Sequence, residues 1–596
     1  MQPDTYDNKP NASTRLPTMP IPTYPSRRKL SSTAQILASI LFTAAVGTAN
    51  DLHTKMSEGG LISAAAGTSA KLAEITSFEP VNPPDPHQNR LVLVAGLEHT
   101  TPKSEANSST AATRTFLAWW KSSEAEKARA SWQICVIPNA LPDGPKESPL
   151  SFPPVKGFFN DAVAPESRAV WRWSAMSSPD LVVDLRTAPV ASSFANSLAL
   201  PLFPDAKAAD PQELTTALGS DTPSGIAQVP AIRIEGSADH LVKTLRELVS
   251  RNIPHSKLRV AIEQRAARDP LDIARTLAAK YPQSPGMSYI PALAWSGAIQ
   301  LTQITGDPSF RQKALSQMTP FLDGSKPALA EKANLPSIAG HLAFSDLARM
   351  ESSQNAAALA RTAAEHLLRT ASPTELVPSP TKWTDDMFMA TSVLARVAGQ
   401  TQDTSLVERT QRLLETYGER LQREDGIFIH VESSPFAWGR GNGFAAFGLM
   451  DALTHLPKEA DRRDALLERF RKLMLGLIKH QSPDGSWRQV VDEPGAYREL
   501  TVTAMVTTAM ARGIRLGWLD QATFLPVVER GWRAVSVRVA PDASLIDVCT
   551  GTGAKRDCDK SHYLHRDAIF GPDDRGGAMA LTAALEIHAL RSSFRR

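Results

Sequence analysis

From about residue 256 to the C terminus the chain reads as one helix-length segment after another. Apolar residues recur at three- and four-residue spacings over 271–280, 290–305, 308–318, 338–350, 355–370, 388–399, 404–421, 443–454, 461–480 and 501–516. Gly306-Asp307-Pro308, Gly399 and Asp425-Gly426 punctuate them. Roughly 340 residues at ~25–30 per helix and loop accommodate about twelve helices. Helices of this kind bury their apolar faces by stacking as hairpins. Two architectures do this: a closed α/α toroid with its site on the longer loops of one rim, and an open helical solenoid. Periodicity does not separate them; the count suits the toroid.

The preceding region has a different pattern. Leu91-Val92-Leu93-Val94-Ala95, Trp132-Gln133-Ile134-Cys135-Val136-Ile137 and Leu181-Val182-Val183-Asp184-Leu185 are short apolar runs ended by Gly96, Pro138 and polar residues. Runs like these suit strands buried on both faces, and the helical stretches between them argue for a mostly parallel sheet. The expected organisation is a linker over 50–88, an α/β domain over 89–255 and a helical domain over 256–596.

Apolar residues make up 42% of the 596 and charged residues 21%, which excludes wholesale disorder and a fibrous chain. The net charge of +3 leaves no electrostatic footprint for nucleic acid. With 3 Cys there is neither a disulfide framework nor a four-Cys zinc site. Cys549 and Cys558 are a possible pair in an oxidising compartment, and Cys135 is expected to be a buried thiol. Arg27-Arg28-Lys29, the apolar run 34–49 and the small residues Gly47 and Ala49 have the layout of a secretory signal cleaved before Asn50. A membrane anchor or a buried helix is the alternative for that run, which is short for a span of ~20 apolar residues. The expectation is an exported protein, periplasmic or extracellular, with no stable membrane span after cleavage.

The loops of the helical region carry the chemistry. Trp383-Thr384-Asp385-Asp386-Met387-Phe388 opens a helix, where an Asp is also a natural cap. Asp425-Gly426-Ile427-Phe428-Ile429-His430 and Trp438-Gly439-Arg440-Gly441-Asn442-Gly443-Phe444 follow. The glycines of the second are expected to let backbone approach a ligand, and Trp with Arg offers a stacking face and an anion clamp. Next come Asp484-Gly485-Ser486-Trp487-Arg488-Gln489-Val490, Glu499 before a helix, and Asp573-Asp574-Arg575-Gly576-Gly577. Trp beside Gly, with acids and Arg on rim loops, suits a carbohydrate site; Trp487 and Glu499 read as scaffold.

These motifs, in this order, resemble glycoside hydrolase families 88 and 105, the unsaturated glucuronyl and rhamnogalacturonyl hydrolases. The resemblance implies an (α/α)6 barrel, no metal and no cofactor. It implies an oligosaccharide substrate whose non-reducing uronic acid carries a C4=C5 double bond, left by a polysaccharide lyase. It implies acid–base hydration of that bond by one carboxylate, here Asp385, with Asp386 the less favoured neighbour. Trp383, His430, Trp438 and Arg440 match positions that line the sugar cleft, and Phe444 stands where Trp is more usual. A second family Asp is missing: Pro336 takes its place in Leu335-Pro336-Ser337-Ile338-Ala339-Gly340-His341. His341 is the candidate to compensate by hydrogen bonding.

The α/β half more faintly resembles the zinc carboxypeptidase and deacylase fold, through Gly96-Leu97-Glu98-His99, Pro138-Asn139-Ala140-Leu141-Pro142-Asp143-Gly144, Pro165-Glu166 and the strand ending at Arg186. The three positions matching zinc ligands hold Glu98, Thr101 and Arg186, of which only Glu98 is able to ligate. This half is therefore expected to be non-catalytic, binding a glycan or docking on the barrel. The whole reads as a multidomain protein, an α/β carboxypeptidase-like domain followed by an (α/α)6 barrel. Its expected activity is an exported glycoside hydrolase for unsaturated uronyl oligosaccharides. The alternative is a non-catalytic carbohydrate-binding or scaffold protein.

Overall fold

The computed structural model describes residues 60–595 apart from 82, 84, 99–107, 145, 147–149, 155–163, 221–227, 370–374 and 554–556. The signal-like segment 1–49, His99 and Thr101 lie outside the described residues. Among the described residues no helix is long and apolar enough to cross a membrane.

The N-terminal half is built on an eight-stranded sheet: β1 (Leu61–Thr68), β2 (Glu74–Pro80), β3 (Asn89–Ala95), β4 (Trp132–Ile137), β5 (Leu181–Thr187), β6 (Ser192–Ala195), β7 (Lys207–Ala208) and β8 (Ala231–Gly236). Their order in the sheet is β1-β2-β4-β3-β5-β8-β6-β7, with β4, β3, β5 and β8 mutually parallel. Leu91 to Ala95 are buried throughout, as a strand covered on both faces requires. Residues 61–80 correct the expected linker: they form the antiparallel pair β1–β2. Ala-rich LISAAAGT carries little strand propensity of its own. It becomes a strand because its small residues let the helix Pro165–Met176 close on it: a Cβ on Gly67 would lie 2.2 Å from the Ala169 Cβ.

The helical half closes into a ring. Its inner layer is 289–305, 335–351, 386–401, 439–455, 500–515 and 574–593, the second and third each interrupted once. Neighbours in this series pack together, and the last returns to the first. That closure excludes the solenoid. The outer layer is 270–280, 309–322, 354–368, 404–421, 463–478 and 521–537. Inner helices are buried nearly all round, whereas Thr404–Leu421 buries one stripe, including Leu406, Thr410, Leu413, Leu414, Tyr417 and Leu421. Inner and outer helices alternate along the chain, so all inner N-termini open on the same rim.

The expected boundary at 255/256 cuts through a shared core. Leu258 and Ile262, on the helix Lys257–Ala266, pack in the same cluster as Val92, Ile137 and Trp171 of the α/β half. Val537, Ile546 and Phe570 of the helical half join that cluster. All three cysteines are buried thiols outside any disulfide, so Cys549 and Cys558 are not a pair: Cys549 packs with Tyr497 and Ala568, and Cys558 against the barrel core. Burial lifts the Cys135 thiol to about 11.

Candidate active site

The N-termini of the inner helices converge at the rim. Trp438 starts one and Asp385 precedes another, with His430 on the loop between. These ends carry partial positive charge, which favours an anionic ligand there.

Asp385 holds the N-cap position of the helix Asp386–Met389, but its side chain accepts no backbone N–H there. Its Oδ2 instead lies 3.2 Å from His430 Nε2, and its side chain is 20% exposed while that of His430 is 2% exposed. His430 Nδ1 lies 2.6 Å from the Tyr563 hydroxyl. With Asp385 ionised, Nε2–H donates to the carboxylate and Nδ1 accepts from Tyr563. The two loops are also clasped through backbone, the Thr384 N–H donating to the His430 carbonyl at 3.1 Å. The imidazole is walled by aromatic rings, with centroids 5.0 Å away at Trp383, 4.7 Å at Trp438 and 5.8 Å at Tyr563. A carboxylate at the opening, with its partner imidazole held rigid behind it, is an arrangement suited to proton transfer.

Arg440 lies over the Trp438 ring, 4.9 Å from its centroid, and donates through Nη1 to the Cys549 carbonyl at 2.8 Å. Burial alone would lower its pKa. Cys549, Tyr289, Glu499 and Asp385 together outweigh that and raise it, so the guanidinium stays charged. Arg440 Nε and Trp438 Nε1 are both buried and have no hydrogen-bond partner among the described residues. Two buried donors thus keep hydrogen-bonding capacity unspent, one of them on a guanidinium that feels the charge of Asp385.

The structure brings together Asp385, Trp383, His430, Trp438 and Arg440. It does not bring in the other two predicted residues in the same way. Phe444 is buried in the floor behind Trp438, stacked on Phe388 at 6.0 Å and edge-on to Tyr289 at 5.6 Å. His341 is buried against Phe344, its Nδ1 2.9 Å from the Ile338 carbonyl. Burial pushes His341 down to about 4, and the titratable side chain whose charge acts on it is His366 of the outer layer, not Asp385. The helix Leu335–Ala339 turns its chain inward before His341, so the ring becomes core.

The glycines of 439–443 also differ from expectation. They lie within the helix Gly439–His455 and make room for protein, not ligand. A Cβ at Gly439 would lie 2.4 Å from the Arg488 carbonyl oxygen, and one at Gly441 2.5 Å from Thr384 Oγ1. Trp487 and Glu499 are scaffold: Trp487 Nε1 donates to the Leu477 carbonyl at 2.7 Å, and Glu499 caps Leu500–Arg515 while accepting the Cys549 N–H at 2.9 Å. Tyr563 and Tyr289 escaped the sequence reading. Tyr563 lies 133 residues from His430, on the short helix Lys560–Leu564 that no motif marks, and Tyr289 stands one residue before the apolar repeat that marks its helix.

Asp386, next to Asp385, has a separate role. It is fully buried and accepts from Thr381 Oγ1 at 2.7 Å, Lys382 N at 2.9 Å and the Tyr417 hydroxyl. Burial, partly opposed by those bonds, lifts its carboxyl to about 6. The folded state therefore holds a proton that the unfolded chain releases near the ordinary value of 3.8. This contribution to stability is full below that ordinary value and is lost as pH rises through about 6. Thermal unfolding of Asp386→Asn from pH 4 to 7 should show a flatter dependence than the wild type. An unchanged pH slope would remove Asp386 as its source.

In the α/β half, Arg186 is neutralised by Asp184 at 2.9 Å and Glu213 at 2.6 Å, and Glu98 accepts from Thr187 N and Oγ1 at 3.2 and 3.1 Å. Among the described residues no group of three or more His, Cys, Asp and Glu is placed to hold a metal. Asp184 and Glu213 are engaged by Arg186, and Glu98 by Thr187, so these carboxylates are committed to protein partners. Metal analysis of purified protein should find no stoichiometric zinc; about one tightly held zinc per chain would overturn this.

Residues 266–591 match the model of glycosyl hydrolase family 88. The chain is 27% identical over 172 residues to an unsaturated 3S-rhamnoglycuronyl hydrolase of Alteromonas sp. (strain LOR), covering 27% of this chain and 42% of that one. It is 26% identical over 172 residues to a protein so named from Formosa agariphila, covering 26% of this chain and 46% of that one. The matches thus span about half the length of these curated relatives or less. A family 105 glycoside hydrolase structure from C. acetobutylicum ATCC 824 superposes with TM-score 0.48 at 21% identity, covering 54% of this chain and 99% of that one. Because the family match takes in more than half of the 596 residues, from the first outer helix of the ring to the last inner one, the chain belongs to glycosyl hydrolase family 88.

Proposed function

We propose that this family 88 member is a glycoside hydrolase that removes unsaturated uronic acid residues from the non-reducing end of lyase-generated oligosaccharides, and that it acts outside the cytoplasm. The observation that carries the reading is the pairing of Asp385 with the buried His430–Tyr563 couple, beside the charged Arg440 on Trp438.

In this reading the uronate carboxylate is drawn by Arg440 and the inner-helix N-termini, and the sugar face packs on the aromatic wall. Protonated Asp385 delivers its proton to C4 of the double bond. Positive charge develops at C5, shared with the ring oxygen. Water adds to C5 as the Asp385 carboxylate takes its proton, which restores the acid. The C5 hemiketal then opens and the glycosidic bond breaks, releasing the aglycone. One water is consumed, and one carboxylate serves both steps, unlike the paired acids of ordinary glycosidases. His430 orients Asp385, and Tyr563 fixes the His430 tautomer. The α/β half, in the same proposal, is a carboxypeptidase-like module that has lost its metal site.

The test is incubation with lyase-generated oligosaccharide mixtures, following loss of ultraviolet absorbance from the C4=C5 bond. Loss of absorbance with release of the shortened saccharide is the expected result. The second reading, a non-catalytic carbohydrate-binding protein, draws on Pro336 standing at the second Asp position with His341 buried away from Asp385. Saccharide binding with no absorbance change across such a panel would favour it.

A further inference from the structure

We propose that the α/β half is a brace for the sugar site, and that Arg172, on its helix Pro165–Met176, is a positioning residue for Arg440. Counting the short strands Trp487–Arg488 and Arg498–Glu499 as β9 and β10, β11 (Leu545–Cys549) pairs with β12 (Ala568–Gly571). The pairing slips between Leu545 and Val548, so β11 carries one extra residue. Asp547 sits in this bulge with φ +65°, the left-handed region that L residues seldom adopt. Such a conformation persists where the surroundings over-determine it.

Here the surroundings are two arginines, one from each half of the chain. Arg172 Nε lies 2.7 Å from Asp547 Oδ1, and Arg538 Nε lies 3.2 Å from Asp547 Oδ2. The carboxylate is 1% exposed, and the two guanidiniums are 7% and 1% exposed. Arg172 is held in turn by aromatic faces of the helical half, 4.9 Å from the Tyr497 centroid and 5.2 Å from that of Phe570. Ile546, the neighbour of Asp547, packs in the α/β core.

Two residues beyond Asp547 stands Cys549. Its carbonyl accepts from Arg440 Nη1, and its N–H donates to Glu499 Oε1. That carbonyl is the one hydrogen-bond acceptor of the Arg440 guanidinium among the described residues. The path is therefore short and covalent over its middle: Arg172 to the Asp547 carboxylate, three residues of bulged strand, the Cys549 carbonyl, Arg440. A buried charge pair is weak evidence for net stability, because desolvation offsets the attraction; fixing a geometry is its better-attested use. What this pair fixes is the depth and direction of the guanidinium beside Asp385. The enzymatic readout rests on the hydrolase reading above; the structural readout does not.

The experiment compares Arg172→Met, Arg172→Lys and Asp547→Asn with wild type in the full chain. Each is also made in an Arg440→Ala background. Asn tolerates the left-handed backbone, so Asp547→Asn tests the ion pair should the Met variant fail to fold. Turnover of an unsaturated disaccharide should show KM raised about tenfold in Arg172→Met, kcat changed less, partial recovery in Arg172→Lys, and no further KM change once Arg440 is absent. Hydrogen exchange over 545–551 should quicken in Arg172→Met, with exchange in the remaining sheet strands unchanged. A KM rise that persists in the Arg440→Ala background, or a lowered melting temperature with unaltered KM, would overturn the proposal. If wild type turns over no unsaturated saccharide, the hydrolase reading fails by itself. Exchange over 545–551 then decides the brace: unchanged protection sinks it, and selective loss upholds it.

Discussion

Asp385→Asn should lower kcat at least ~10²-fold and toward ~10⁴-fold, the usual worth of general acid–base catalysis, while melting temperature and circular dichroism stay near wild type. The amide is nearly isosteric with the carboxylate. Its oxygen still accepts from His430 Nε2, so the clasp between the two loops survives. No helix cap is lost, because the Asp385 side chain caps nothing. What disappears is the proton for C4 and the base for water. Since one group serves both steps, no second carboxylate takes over; Asp386, the nearest, is buried and committed to Thr381, Lys382 and Tyr417. Asp386→Asn should therefore leave kcat far closer to wild type. Steady-state turnover of an unsaturated disaccharide by both variants decides the matter. Near-wild-type kcat in Asp385→Asn would leave the hydrolase reading without its central residue.

Arg440→Ala should act on binding first. Its guanidinium is 4% exposed, stacked on Trp438 and bonded to the Cys549 carbonyl. Truncation removes the anion partner of the substrate and the cation over the indole, and leaves the Cys549 carbonyl without its donor. A KM rise of about 10–100-fold follows from losing one charge-assisted contact of ~1.5–3 kcal/mol. Stability should fall by ~1–3 kcal/mol, from the carbonyl left unsatisfied and the lost ring contact. Arg440→Lys should recover little of the KM, because a point charge reproduces neither the stacking plane nor the fork. Thermal unfolding alongside the kinetics separates the two effects. A destabilised variant whose KM stays within about twofold of wild type would make Arg440 a structural residue only.

Most of the residues at the site were legible in the chain because each motif is local. Trp383 and Asp385 are two residues apart, as are Trp438 and Arg440, and each pair sits where an inner helix begins. A turn from loop to helix is set by near neighbours, so spacing alone conveys it. His341 was not legible in this way. Its motif neighbours place it near the rim, but the helix Leu335–Ala339 carries it into the core, where burial keeps it neutral. The glycines of 439–443 misled for a related reason: a residue without Cβ signals a close approach, not what approaches. Here it is the Arg488 carbonyl, Thr384 and Met505.

By itself the sequence determined two patterns, short continuous apolar runs and helical spacing, and with them a sheet half followed by a helical half. It also determined the order of rim motifs. Only the tertiary structure decided that helix 574–593 returns to helix 289–305 and closes the ring, and that 61–80 joins the sheet. Only it brought Tyr563 to His430 and Arg172 to Asp547, across 133 and several hundred residues of chain. The reason is that periodicity records which face of an element prefers to be buried, a property of each segment alone. Which segment does the burying is settled by shape, charge and closure among residues far apart, and no local pattern carries those.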